Sequence, residues 1–178
     1  TNKIAEGELM QLANKNNLNT SLQQLKKISY YKTGRLFEAS AKSAAMLSGK
    51  SIPFIENISK AAKLIGIAFQ VRDDLLDYGV SKGNIGKPEM QDILEDKITY
   101  PLYFALKYSN KKDSSKILKK LKNKDFSIEE VADFVSSSNA FNKCNSLIQN
   151  YNNEISKCIN QISNKEIRDE MLNLSESL

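Results

Sequence analysis

Apolar residues recur three or four positions apart along most of the chain, and no segment keeps strict apolar and polar alternation. This pattern predicts helices and disfavours sheets. Ile4, Leu9, Met10 and Leu12 are already in helical rhythm from the first residues with no cap before them, so the start is expected to be the middle of something. The polar run Asn14, Lys15, Asn16, Asn17 ends that stripe. Thr20 with Gln23 three residues on has the form of a capping box. From there Leu22, Leu25, Ile28 and Leu36 predict one helix to about residue 48, stopped by Gly49. Pro53 suits the first turn of a third helix, through Ile58, Ala62, Ile65, Phe69 and Leu76 to Tyr78, with Gly79 as its terminator. Residues 79 to about 99 carry glycines, lysines and Pro88 and read as a long functional loop, with room for a short helical turn over 92–96. Pro101 fits the first turn of a helix to about residue 109, and Asp113 is placed to cap the next. Ser127 with Glu130 makes a second capping box. A long Asn-rich helix over about 140–162 and a last one over about 165–174 follow. The fold class expected is all-α, a helical bundle formed by residues 1–178 as a single domain.

The bulk numbers narrow the chemistry. With 178 residues the chain has enough length for one ordinary core, and 7 Gly and 3 Pro suit long regular segments. It contains no histidine, which removes imidazole as a base and as a metal ligand. Cys144 and Cys158 share one expected helix, roughly 21 Å apart at the helical rise, too far for a disulfide. Any metal must therefore bind oxygen. Unpaired thiols suit a reducing compartment, and a cytoplasmic setting is expected, or an organelle if a targeting segment precedes these residues; no apolar run approaches the length of a membrane span. The formal net charge of +5 fits nucleic acid, an anionic membrane or a phosphorylated ligand equally well. The lysine-rich stretch from Lys111 to Lys124 reads as a solvated helix face, so neither nucleic acid nor stable membrane insertion is expected.

Candidate chemistry gathers in three places. Asp73, Asp74 and Asp77 fall within an arc of roughly 100° at the end of an otherwise apolar helix. Like charges there repel one another and oppose the helix dipole. A divalent cation such as Mg2+, which takes carboxylate and phosphate oxygens, would relieve both effects; Arg72 could neutralise part of the charge instead. Lys32 and Thr33 stand between Tyr30, Tyr31 and Gly34. Gly83, Gly86, Lys87 and Pro88 lead on to Asp92, Lys97, Thr99 and Pro101, a basic loop with no Walker A spacing. Gly34, Ala41, Ala45 and Ser48 form a small-residue stripe suited to close helix packing or, alternatively, to lining an apolar channel.

Taken in order, Lys32-Thr33, Phe69-Gln70-x-x-Asp73-Asp74-x-x-Asp77, Gly86-Lys87, Asp92 and Lys97-x-Thr99-x-Pro101 resemble the trans-isoprenyl diphosphate synthases. Glu6-Gly7-Glu8 and Gln11 extend the likeness upstream, so that residues 1 to about 109 match. The resemblance implies an isoprenoid-synthase bundle that uses Mg2+ held by Asp73, Asp74 and Asp77, with Asp73 the direct ligand. It implies that Lys32, Lys87 and Lys97 contact the diphosphate of an allylic substrate, that Thr33, Phe69 and Gln70 line and orient its chain, and that Lys32, Asp73 and Lys87 are the catalytic groups. It further implies condensation with isopentenyl diphosphate in a homodimer, or in a heterodimer as some members are.

One departure is large. The family uses two facing DDxxD motifs, and this chain has one. The expectation is the C-terminal half of a prenyltransferase, inactive alone. The alternative is a non-catalytic partner or regulatory subunit of such an enzyme.

Overall fold

The structure, a computed structural model, describes residues 2–81, 84–85 and 90–177. Its elements are the helices α1 (Asn2–Ala13), α2 (Leu22–Ser29), α3 (Arg35–Leu47) and α4 (Ile52–Asp77), a two-stranded ladder, and the helices α5 (Gln91–Leu94), α6 (Tyr100–Tyr108), α7 (Lys111–Asn123), α8 (Ile128–Ser137), α9 (Ala140–Ile159) and α10 (Lys165–Glu176). The ladder pairs β1 (Val80–Ser81) antiparallel to β2 (Asn84–Ile85), two residues each. A π-helical turn, Tyr30–Gly34, joins α2 to α3. The all-α expectation holds.

Most boundaries follow from local chemistry. Gly49 and Gly79 adopt positive φ after α3 and α4, the conformation that a glycine tolerates without cost. Pro101 lies in the first turn of α6, where its missing N–H removes nothing a helix needs. Ser127 Oγ accepts from Glu130 N at the start of α8. Two caps differ from expectation. At α2 the reciprocal pair is Ser21 with Gln24, not Thr20 with Gln23. Thr20 is buried, and its hydroxyl donates to the Asn17 carbonyl and accepts from Asn14. At α7 the cap is Asn110, whose side chain accepts from Asp113 N.

The chain divides into two compact units, residues 1–9, 26–70 and 147–178, and residues 10–25 and 71–146. In the first, Ala61 and Ile65 of α4 pack on Ile155, Cys158 and Ile159 of α9, with Phe37 of α3 and Met171 and Leu172 of α10 against them. Ala45, Ile58 and Ile162 make a neighbouring cluster. Burying each isoleucine side chain of these clusters contributes about 1.5–3 kcal/mol, so the clusters hold the helices together. The small-residue stripe is part of this packing: Ala41 and Ala45 lie in the second cluster. In the second unit Val71 and Leu75 of α4, Tyr100, Leu102 and Ala105 of α6, Val131 and Val135 of α8 and Ala140 and Cys144 of α9 are buried. An ion pair of 2.6 Å between Lys120 and Glu130 fastens α7 to α8. Cys144 and Cys158 are both buried and unpaired, and burial pushes the thiol pKa of each upward. No helix of the described residues is long and apolar enough to cross a membrane.

Candidate diphosphate and metal site

Lys32 and Thr33 sit in the π-helical turn, where one extra residue widens the helix. Such turns are rare and often mark functional positions. Two glycines press on this turn, one at Lys32 and one at Gly34. A Cβ on Gly7 of α1 would lie 2.5 Å from the Lys32 backbone nitrogen and 2.8 Å from its Cα. One on Gly66 of α4 would lie 2.7 Å from the Cα of Gly34. Backbone therefore meets backbone at both places, and no side chain larger than hydrogen fits. Polar ties complete the turn. Tyr30 Oη donates to Glu38 Oε2 at 2.7 Å, and Arg35 Nη1 donates to the same oxygen at 2.8 Å. The Glu38 carboxylate thus links a residue at the start of the turn to the one just after it. Partial burial works against its charge, and the Tyr30 and Arg35 hydrogen bonds outweigh that, so its pKa lies below the usual glutamate value.

Within the same unit Thr33 Oγ1 donates to Gln70 Oε1 at 2.9 Å. Lys32 Nζ stands 3.7 Å from Glu8. Phe69 is exposed, its ring 6.2 Å from that of Phe37. Lys32, Thr33, Phe69 and Gln70 therefore lie on two packed elements, the π turn and α4. Sequence reading did not anticipate Glu38, whose signal would have been its spacing of eight from Tyr30 and three from Arg35.

The acids close α4 and belong to the second unit. They do not share one environment. Asp73 is exposed, Asp77 is half-buried, and Asp74 is 6% exposed. Asp74 Oδ2 accepts from the Tyr100 backbone N–H at 3.1 Å. Asp77 accepts from Gln91 N through Oδ1 at 2.9 Å and from Asp92 N through Oδ2 at 3.2 Å, and its backbone carbonyl takes Met90 N at 3.0 Å. Lys97 lies between Glu95 at 2.8 Å and Asp92 at 3.2 Å. Burial disfavours its charge, the two carboxylates more than restore it, and its pKa is raised. The hydroxyls of Tyr78 and Thr99 are buried without a hydrogen-bond partner of normal geometry among the described residues, although Thr99 stands close enough to act on the ionisation of Tyr78. Lys87, with Gly83, Gly86 and Pro88, lies outside the described residues.

Among the described residues no three acidic or thiol side chains converge tightly enough to hold an ion by themselves. The donors available are hard oxygens with one exposed carboxylate, Asp73. This set fits a cation that takes one or two protein carboxylates and completes its shell with water and phosphate oxygens, the habit of Mg2+. It does not fit a soft metal.

Residues 1–138 match the model of the polyprenyl synthetase family. The octaprenyl diphosphate synthase of Haemophilus influenzae is 36% identical over 117 residues, which cover 66% of this chain and 36% of that protein. The probable mitochondrial hexaprenyl pyrophosphate synthase of Yarrowia lipolytica is 30% identical over 97% of this chain and 39% of its own length. A polyprenyl synthase from Caulobacter crescentus, solved with calcium and isoprenyl diphosphate, superposes with a TM-score of 0.88 at 25% identity, covering 99% of this chain and 55% of that one. The chain thus spans between about a third and just over half of these relatives. With the family model matched over most of its length and the helical fold shared throughout, the chain belongs to the polyprenyl synthetase family.

Proposed function

We propose that the chain serves a Mg2+-dependent trans-prenyltransferase that joins isopentenyl diphosphate to an allylic diphosphate, and that it supplies the second aspartate-rich motif and the diphosphate-binding lysines. The observation that carries this reading is the ordered set Lys32-Thr33, Phe69-Gln70, Asp73, Asp74, Asp77, Lys87 and Lys97, all within residues 1–138, which the family model matches. Mg2+, when bound, neutralises the leaving diphosphate and lowers the barrier to its departure.

The chain's own residues act around that event. Asp73 offers the carboxylate that fixes the cation. Lys32, Lys87 and Lys97 supply ammonium groups to diphosphate oxygens, which strengthens as charge develops on the leaving group. The Thr33 to Gln70 hydrogen bond holds both side chains in place, and Phe69 offers an apolar surface to the first isoprene units of the substrate. The isopentenyl double bond attacks the allylic cation left behind, and a proton is then lost. A homodimer working in the cytoplasm is part of this reading. So is inactivity of the chain alone, which is supported by the single DDxxD motif and by the share of its relatives that the chain spans.

Calorimetric titration of the chain with an allylic diphosphate, with and without Mg2+, tests it. Binding is expected only with the metal, and no product is expected when isopentenyl diphosphate is added. Absence of binding under both conditions overturns the assignment. Turnover by the chain alone overturns the half-enzyme reading.

A further inference from the structure

We propose that the three acids of the motif divide their work: Asp73 meets the cation, while Asp74 and Asp77 are positioning residues that anchor the segment carrying Lys97. What the segment positions, and for which ligand, rests on the function proposed above.

A buried carboxylate is costly unless hydrogen-bonded. Asp74 finds its donor in the backbone of Tyr100, the first residue of α6. The first N–H groups of a helix have no partner inside it. At α6 the N-cap residue Thr99 gives no side-chain cap, and Pro101 has no N–H. Asp74 therefore does from a distant helix what a cap does locally, and its negative charge suits the positive end of the α6 dipole. Asp77 does the same for α5. The N-cap residue there is Met90, held at φ 55° with no side-chain cap. Three successive amides, those of Met90, Gln91 and Asp92, all reach Asp77.

The consequence falls on what lies between these two anchors. Residues 90–100 are pinned at one end by Asp77 and at the other by Asp74. Lys97 sits three residues before the Tyr100 anchor, and its partner Asp92 is itself one of the amides held by Asp77. Both acids thus act through the backbone, and the motif's spacing of three is what lets one helix end reach two following helices.

Asparagine and alanine variants separate the roles. Asn keeps an oxygen that accepts from a backbone N–H but loses the charge a hard cation requires. Ala loses both. The readouts are the melting temperature and the Mg2+-dependent affinity for inorganic pyrophosphate by calorimetry. Asp73→Asn is expected to weaken pyrophosphate binding by about tenfold or more with the melting temperature unchanged. Asp74→Ala and Asp77→Ala are expected to lower the melting temperature by about 2–4 °C each and to weaken binding, with Asp74→Asn restoring most of both and Asp77→Asn, which keeps one of two acceptor oxygens, restoring part. If either of these Asn variants loses binding as Asp73→Asn does while melting like wild type, that acid is a ligand and the division is overturned. If wild type binds no pyrophosphate at all, the proposed function falls, and the melting temperatures alone decide the anchoring. Recovery by Asn over Ala then sustains the anchoring; equal losses in both overturn it.

Discussion

The two units hold their lysines by opposite means. In the first, the turn bearing Lys32 is fixed by exclusion, because Gly7 and Gly66 bring backbone against backbone and leave no room for the turn to shift. In the second, the segment bearing Lys97 is fixed by attraction: carboxylates of α4 take the amides at the starts of α5 and α6. A steric fit depends on shape alone and is indifferent to pH and salt. A polar joint tolerates any group that keeps the acceptor, yet answers to charge. The difference predicts which substitutions each unit survives.

The largest effect is expected where exclusion is tightest. In Gly7→Ala and Gly66→Ala the new methyl would stand 2.5–2.8 Å from backbone atoms, which cannot swing aside as a side chain can. Overpacking of this kind costs about 1–3 kcal/mol, occasionally more. Denaturant melts should show that loss undiminished between low and high salt. A loss that shrinks with salt would mean that the turn is held by charge as the second unit is, and the contrast would disappear.

These two mechanisms were unequally legible in the sequence. Helix ends marked by their own residues were readable: Gly49, Gly79, Pro101, and Ser127 with Glu130. So was the order of the motif residues, because each is defined by identity and spacing. The π turn was not. Tyr30–Gly34 continues the apolar rhythm of its flanks, and its extra residue is fixed by Gly7 and Gly66, which lie far off in sequence. The reading of residues 20 to about 48 as one helix missed it for that reason. The separate environments of Asp73, Asp74 and Asp77 were hidden likewise. Their spacing gives a shared helix face, but the donors to Asp74 and Asp77 are backbone amides 14 to 26 positions onward, and an amide has no signature in a sequence. The capping shift from Thr20 to Ser21 has a local cause, since burial turns the Thr20 hydroxyl towards Asn14 and Asn17.

A smaller effect probes one of the polar ties that the first unit also possesses. Glu38 links Tyr30 and Arg35 across the π turn, and its folded pKa is depressed. A depressed carboxylate contributes stability that is present above its unfolded value, about 4.3, and is lost as pH falls through the lower folded value. Glu38→Gln should therefore destabilise by roughly 0.5–1.5 kcal/mol at neutral pH and flatten the fall in stability below about pH 4. Melts at a series of acidic pH values read both. If the variant and wild type fall in parallel, Glu38 is not what joins the two residues, and the direct hydrogen bond from Arg35 Nη1 to Tyr30 Oη at 3.0 Å is left as their polar link.

The smallest effect should come from a charge pair of the second unit whose acid is exposed and whose base has a second partner. Glu95 lies 2.8 Å from Lys97, but its side chain is 51% exposed, and Asp92 also holds the ammonium group. Exposed pairs contribute about 0.2–1 kcal/mol and are screened by salt. With Asp92 still present, Glu95→Gln is expected at the low end of that range and is expected to vanish in about 1 M salt, where Gly7→Ala keeps its full cost. The same substitution should lower the raised Lys97 pKa, readable by NMR titration at alkaline pH, because only Asp92 then opposes the desolvation. A Glu95→Gln loss that persists in high salt would place a packing contact where the structure has a charge pair, and the second unit would then be held, in part, as the first one is.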